Sequence, residues 1–331
     1  MKKNFWEKLK KKGKPIYALA PMAGVTDSAF RQICKEYGAD VLYSEMASAT
    51  ALVYAPKKTL EIVEFAKKER PYVVQLFGSK PEHFAIATKI ITEKVKPDGI
   101  DINFGCPVKK VQKQGAGAIL MSNLKLSYEV IKSVVENTDL PVSVKCRAYV
   151  EVSWDKKISV LDFLEKIKEL DIKALMIHGR SMSQGRTGEI DWEIIKEAKN
   201  RFNGIVLANG GITDAKIAKD LLEKTGVDGL GIARGALGRP WIFSQLIIKN
   251  YQLSIKDIYK VALRHAKLAY KLKGDAGIRE MRKHLCWYAA GLPGAAELRG
   301  KLVKVESLAE IKKILKKKLA FSRFFRTIFS F

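Results

Sequence analysis

A chain of 331 residues that is 47% hydrophobic and 29% charged holds enough apolar material for a packed core and too much for a disordered polymer. Its 60 Lys+Arg against 35 Asp+Glu give a net charge of +25, and residues 246–331 alone carry 20 basic against 6 acidic residues, a local net of +14. No apolar run reaches the roughly 18–20 residues of a membrane span, Met1–Trp6 lacks a secretory core, and Cys34, Cys106, Cys146 and Cys286 form no C-x-x-C pair, which excludes membrane-spanning, secreted-miniprotein and zinc-knuckle classes.

Along the chain, residues 15–235 alternate short β-branched runs with longer amphipathic stretches. Strands are predicted at Ile16–Pro21, Val41–Ser44, Tyr72–Phe77, Gly99–Asn103, Val142–Arg147, Ala174–His178, Ile205–Asn209 and Gly229–Ala233. Helical spacing appears between them: Phe30, Ile33, Cys34 and Tyr37 within Ser28–Tyr37; Phe84, Ile86, Ile90 and Ile91 within Glu82–Lys94; Val130, Ile131, Val134 and Val135 within Leu126–Glu136. Thr26-Asp27 and Thr213-Asp214 are N-cap signals. Eight strand–helix units of this size suit an α/β chain closed into a (β/α)8 TIM barrel. A doubly wound open sheet is the alternative, but the G-x-G-x-x-G expected after its first strand is missing.

From Trp241 onward no strand signal remains. Ser254–Lys271, Ile278–Ala290 and Ser307–Lys318 read as helices, the last opened by Ser307 with Glu310 three residues on, and Gly274, Gly277, Pro293 and Gly294 punctuate them. The predicted organisation is a barrel over residues 1–245 and a small, basic, all-helical C-terminal domain over 246–331. The last stretch, Leu319–Phe331, interleaves Phe321, Phe324, Phe325, Phe329 and Phe331 with Arg323 and Arg326, and reads as a packing tail or an interfacial segment. Concentrated positive charge points to a polyanionic partner, nucleic acid before anionic membrane, with heat-adapted lysine enrichment as the bland alternative.

Barrel chemistry sits on the loops after the strands. There the sequence offers Pro21-Met22-Ala23-Gly24, Ser44-Glu45-Met46, Gln75, Asn103-Phe104-Gly105-Cys106-Pro107, Lys145, His178, Asn209-Gly210-Gly211 and Arg234-Gly235. A polar or reactive group at nearly every strand end is the pattern of an enzyme. The glycines of Asn209-Gly210-Gly211 and Arg234-Gly235-Ala236-Leu237-Gly238, each leading into a helix start, suit the phosphate of a mononucleotide cofactor or of a phosphorylated substrate. Lys145, in an apolar strand, is either a Schiff-base nucleophile or a fixed charge against an electron-rich ring, unless it faces the helices. Cys106, in a loop near Lys109, Lys110 and Lys113, has neighbours that favour its thiolate, whereas Cys34, Cys146 and Cys286 read as packing residues. His83, His178, His265 and His284 show no ligand spacing, and no metal is expected.

Several longer runs then stand together: Ala20-Pro21-Met22-Ala23-Gly24-Val25-Thr26-Asp27 with Phe30-Arg31, Gln75-Leu76-Phe77-Gly78, and Asp101-Ile102-Asn103-Phe104-Gly105-Cys106-Pro107-Val108-Lys109-Lys110-Val111. Gly115-Ala116-Gly117-Ala118, His178-Gly179-Arg180, Asp191-Trp192, Pro240-Trp241-Ile242-Phe243, His284-Leu285, Trp287-Tyr288 and Pro293-Gly294-Ala295 follow. With these, the chain resembles the FMN-dependent tRNA-dihydrouridine synthases of bacterial type over about residues 16–318, the Asn-Phe-Gly-Cys-Pro run being the most specific.

The resemblance implies reduction of the uracil C5–C6 double bond in tRNA, with NADPH as electron source through FMN. It implies flavin contacts from Pro21, Met22, Ala23 and Gln75, with Lys145 at the N1/O2 edge. His178, Asn209, Gly210, Gly211, Ala233 and Arg234 fall to the ribityl and phosphate portion. Hydride would pass from N5 to uracil C6 while Cys106 protonates C5, with Asn103 on the uracil edge and Lys109, Lys110 and Arg180 as further substrate contacts. A small-molecule FMN oxidoreductase, an aldolase-like barrel using Lys145, and a non-catalytic RNA-binding barrel are the competing readings. The implied partner is tRNA, with no membrane and no protein partner, and the implied setting is a cytoplasmic monomer. Three positions depart from the family pattern: Gly211 replaces a common Asp, Ala233 a common Gly, and Arg180–Gly188 follows a different course.

Overall fold

The computed structural model describes residues 4–317, so the Phe-rich run Leu319–Phe331 lies outside the described residues. Nine strands form among them: β1 Ile16–Leu19, β2 Val41–Ser48, β3 Tyr72–Phe77, β4 Gly99–Phe104, β5 Val142–Glu151, β6 Lys157–Ser159, β7 Ile172–Ser181, β8 Ile205–Asn209 and β9 Gly229–Ile232. Parallel pairing runs from β1 through β2, β3 and β4 to β5, then through β7, β8 and β9 back to β1. Eight strands therefore close into the expected TIM barrel. The ninth, β6, pairs antiparallel with the outer end of β5 and stands outside the ring.

All eight predicted strands are present, because barrel strands are buried on both faces and read as continuous apolar runs. β3 and β8 match residue for residue. β2, β5 and β7 run longer than expected, to Ser48, Glu151 and Ser181. Their outer residues are polar because they stand above the apolar layer, while the backbone ladder continues. Predicted helices appear as Ser28–Glu36, Pro81–Ile90 continued by a wider turn at Ile91–Val95, and Leu124–Val135. The Asp27 and Asp214 side chains accept from the N–H groups of Phe30 and Ile217 at 2.9 and 3.0 Å, as their positions predicted.

The N-terminal segment was not read as structured, yet Phe5–Lys10 is a helix, with the Asn4 side chain accepting from the Trp6 N–H at 3.1 Å. Its Trp6 and Leu9 join one buried cluster with Ile16, Val41, Val73, Ala174 and Ile205, which sit at the beginnings of β1, β2, β3, β7 and β8. This short helix therefore seals the end of the barrel opposite the loops that follow the strands. Six residues with one apolar stripe give too brief a period to detect.

A buried pair fixes the first of those loops. Arg31 and Glu69 are both fully buried and meet at 2.6 Å. Arg31 donates further to the Thr26 carbonyl at 2.7 Å and the Glu64 carbonyl at 2.6 Å, and lies 4.7 Å from the Tyr72 ring centre. Such a pair holds geometry more than it adds stability. Here it fixes the turn Met22–Thr26, in which the N–H groups of Val25 and Thr26 both donate to the Met22 carbonyl.

The chain divides into two compact units, Met1–Gly235 and a second from Ala236 onward. The division falls ahead of residue 245 because Gly238 and Trp241 pack within the second unit: a Cβ on Gly238 would lie 2.3 Å from the Trp287 carbonyl oxygen, and Trp241 stacks on Tyr288. The two predicted helices form a hairpin that reverses at Gly274 (φ 57°, ψ −139°), within Ile255–Ala289. His265 on one arm meets His284 on the other at 4.7 Å between rings. A short helix, Ala295–Leu302, follows, and residues 308–317 are helical as predicted from Ser307. No helix among the described residues is long and apolar enough to cross a membrane.

Truncating Trp6 to Ala empties a wholly buried site at the sealed end of the barrel, and should cost about 3–5 kcal/mol in urea-unfolding free energy. A loss under about 1 kcal/mol would show that the helix does not close the barrel.

Candidate active site

At the open end of the barrel, the interior changes from apolar to polar at one layer. Gln75 on β3, Asp101 on β4 and Ser143 on β5 are neighbours in register and almost completely buried. Ser143 Oγ donates to Asp101 Oδ1 at 2.6 Å, and Gln75 Nε2 donates to Asp101 Oδ2 at 2.7 Å. The Gln75 carbonyl oxygen accepts from Asn103 Nδ2 at 2.8 Å. Asn103 Oδ1 in turn accepts from the N–H groups of Gly105 and Cys106 at 3.0 and 2.9 Å. One carboxyl group thus sets the orientation of two amides, and the second amide holds the loop that carries Cys106.

Cys106 is half-buried, while Cys34 and Cys146 are buried. Burial pushes the Cys34 thiol well above its ordinary value and the Cys146 thiol to about 12, so both are inert packing groups as expected. Cys286, expected to pack in a core, is only half-buried. Lys109 and Lys110 lie exposed on the helix Lys109–Gln112 directly after the Cys106 loop. Lys145 and Arg147 on β5 lie within electrostatic reach of Cys106.

Lys145 is paired in register with Asn103 and is partly buried. Burial, with the Arg147 charge adding to it, lowers Lys145 to about 8, which leaves it largely protonated near neutral pH. Arg147 was not singled out by sequence, although it shares a strand face with Ser143 and Lys145 at spacing two. Burial lowers it to about 10. Its guanidinium donates to the carbonyls of Gly105, Ser181 and Gly185 at 2.9, 2.6 and 3.0 Å, joining the Cys106 loop to the loop after β7.

His178 ends the layer on β7, paired with Arg147 on one side and Asn209 on the other. Burial first, then Lys145, Arg147, Arg180 and Arg234, push it far below its ordinary value, so the ring is neutral. Asn209 Nδ2 donates to the Gly231 carbonyl at 2.6 Å, which locks β8 to β9. At Gly210 (φ +111°) a Cβ would lie 2.6 Å from the His178 ring, and Gly211 is also left-handed (φ +64°), so the backbone here comes close because no side chain is present.

Arg180 was expected on the RNA side. It is buried instead, 3.4 Å from His178 Nε2, and donates to the Gly188 carbonyl at 2.8 Å. The cause is the length of β7, whose pleat turns residue 180 inward with 178. Arg234 is exposed and donates to the Arg186 carbonyl at 3.0 Å. Around His178, therefore, Arg180 and Arg234 gather with glycine backbone, their hydrogen bonds going to carbonyl oxygens and to the His178 ring, while Lys145 and Arg147 are partly balanced by Asp101 and Glu151. Such a cluster repels itself unless an anion joins it, which suits a phosphate. Pro21, Met22 and Ala23 lie on the turn anchored by Arg31, and Ala233 follows β9. Most of the sequence-predicted residues thus fall on one rim in two groups, a hydrogen-bonded layer of Gln75 and Asn103 with Cys106 and Lys145, and a cationic group around His178. Asp101, Ser143 and Arg147 join them.

A family model described as "Dihydrouridine synthase (Dus)" matches residues 18–325. The chain is 36% identical over 298 residues to tRNA-dihydrouridine synthase B of Pseudomonas syringae pv. tomato, a match covering 87% of this chain and 86% of that one. It is 33% identical over 306 residues to a probable tRNA-dihydrouridine synthase 1 of Synechocystis sp., covering 89% and 84%. Among solved structures, the 6-hydroxypseudooxynicotine amine oxidase of Pseudomonas geniculata superposes with a TM-score of 0.52 at 14% identity, over 70% of this chain and 46% of that one, a likeness of fold alone.

The buried carboxyl of the layer has a measurable signature. Burial raises Asp101 from 3.8 to about 6, against the opposing pull of the Ser143 and Gln75 hydrogen bonds and the Lys145 charge. The folded chain therefore holds this proton more tightly than the unfolded one. Its stabilisation is complete below pH 3.8 and is lost as pH rises through about 6. Two pKa units correspond to about 3 kcal/mol. Asp101→Asn cannot ionise, so its unfolding free energy relative to wild type should rise by up to about 3 kcal/mol between about pH 4 and pH 7. A difference that stays constant with pH would contradict this assignment.

Proposed function

Because this chain belongs to the dihydrouridine synthase family, we propose that it reduces the C5–C6 double bond of specific uridines in tRNA to 5,6-dihydrouridine, with FMN as cofactor and NADPH as electron donor. The observation that carries this reading is Cys106, a half-buried thiol held by Asn103 on the rim, facing two cations, beside a separate anion-accepting cluster. A reaction that needs one proton donor and one bound phosphate finds both on one layer of side chains.

The residues present fit FMN. The glycine backbone at Gly210 and Gly211, the neutral His178 and the cations Arg180 and Arg234 suit a phosphate, with Asn209 and Ala233 lining the same end. Pro21, Met22, Ala23, Gln75 and Lys145 would hold the ring. When bound, the flavin supplies the hydride that adds to uracil C6. Lys145 offers a fixed positive charge to the edge of the ring that gains electron density. Cys106 gives its thiol proton to C5, so that one hydride and one proton complete the reduction. The thiolate left behind lies near Lys145 and Arg147 and takes a proton back from solvent. Asn103 keeps the thiol in place through its backbone N–H bonds, and its engaged amide argues for positioning Cys106 over gripping uracil.

A uridine inside folded tRNA must be extruded to reach this rim, at a cost of a few kcal/mol. Phosphate contacts from a basic surface offset that cost. We assign this role to the C-terminal helical region, residues 246–331 with their net of +14, assisted by Lys109 and Lys110 beside Cys106. tRNA is then the partner, met in the cytoplasm by a monomer.

Two variants separate the assigned roles. Cys106→Ala should leave NADPH bleaching of the flavin intact while tRNA turnover falls by about a hundredfold or more; retained turnover would remove Cys106 as the acid. Arg234→Ala should weaken FMN about tenfold or more and leave riboflavin affinity unchanged, since only FMN carries the phosphate. Equal losses for both ligands would refute the phosphate assignment.

A further inference from the structure

β5 does not stop where the barrel does. Beyond Arg147 it continues to Glu151, turns through residues 152–156 and returns as β6, pairing Tyr149 with Ser159 and Glu151 with Lys157. The arm is braced on several sides. The Tyr149 hydroxyl donates to Asp191 at 2.7 Å, and Lys157 Nζ lies 4.3 Å from the Tyr149 ring centre. The Glu151 carboxylate accepts from the Ser183 N–H and hydroxyl at 3.1 and 2.5 Å, and Val150 is fully buried. At the tip the N–H groups of Val152 and Ser153 both donate to the Lys156 carbonyl, which closes a tight turn.

That turn presents Trp154 at 98% exposure, beside Val152 at 47%. Indole is large and apolar, and nothing in the fold requires it at the end of a braced arm. Lys156 and Lys157 are exposed on the arm beside Asp155, whose carboxylate accepts from the Ser153 hydroxyl at 2.7 Å, and exposed Arg186 stands on the loop to which Glu151 is tied. The same strand, through Arg147, is bonded to Gly105 next to Cys106. Trp154 stands seven positions beyond Arg147, at most about 23 Å of chain.

A flat apolar face with lysines beside it, on the rim of a site that takes a base from RNA, matches a nucleobase flanked by phosphates. We propose that Trp154 stacks on an unpaired base of the RNA substrate close to the uridine that enters the site. The proposal rests on the functional reading above, and it gives that reading a contact outside the basic helical region.

The test uses the flavin-loaded full chain and unmodified tRNA, with Trp154→Ala and Trp154→Phe beside the wild type. Stacking predicts that Trp154→Ala raises the Kd for tRNA about tenfold and raises KM more than it lowers kcat. The slope of log affinity against log salt should stay unchanged, because no charge is removed. Trp154→Phe should recover most of the affinity, and flavin reduction by NADPH should be equal in all three proteins. Wild-type affinity in Trp154→Ala overturns the proposal and leaves the functional reading standing, as does a flatter salt slope. Loss of self-association in Trp154→Ala, with tRNA binding intact, would assign the tip to a second copy of the chain and overturn it too. A wild type that binds no tRNA overturns both readings.

Discussion

A closed barrel packed with apolar side chains leaves little room for a carboxyl group, and Asp101 sits where that restriction is strongest. Its two oxygens are taken by Ser143 and Gln75, so each neighbour has one allowed orientation. The fixed Gln75 amide leaves its carbonyl for Asn103, and the fixed Asn103 amide leaves its own carbonyl for the N–H groups of Gly105 and Cys106. A network of this kind is worth most when every member is satisfied, since an unpaired amide at this depth is costly. The position of the Cys106 loop is therefore decided at Asp101, through Gln75 and Asn103, inside the barrel.

Charge sorts the rest of the rim. Lys145 and Arg147 stand on one strand near the thiol; burial lowers both, with the Arg147 charge adding to the shift of Lys145 and the Arg180 and Arg186 charges to that of Arg147. His178 stands among cations and stays neutral, so it offers a hydrogen-bonding ring with no added charge. Positive groups held this close are strained electrostatically until something negative arrives.

Much of this was legible from sequence, and the limits have physical causes. The eight strands were visible since burial on both faces makes each a continuous apolar run. Their outer ends were not, because polar residues such as Glu151, Arg180 and Ser181 continue the ladder above the apolar layer. The extension of β7 places Arg180 beside His178, a neighbourhood that the shorter predicted strand did not show. The reactive residues stood out by type and by position after strands. The connection from Asp101 to Ser143 and Gln75 did not, since it depends on register between strands distant in sequence. Spacing of two at Asp101 and Asn103, and at Ser143, Lys145 and Arg147, was the available clue. The sealing helix Phe5–Lys10 was too short to show a period.

The loop from Ser181 to Gly188, which departs from the family pattern, is gripped in an unusual way. Arg147, Arg180 and Arg234 hold it by the carbonyl oxygens of Ser181, Gly185, Arg186 and Gly188. Every residue type brings a carbonyl, so the arginines act on the path of the main chain whatever side chains it carries. Ser183 on Glu151, Gln184 on the Ser181 N–H and the left-handed Gly188 add demands of their own. Positions outside that bracing can change while the main chain keeps its course.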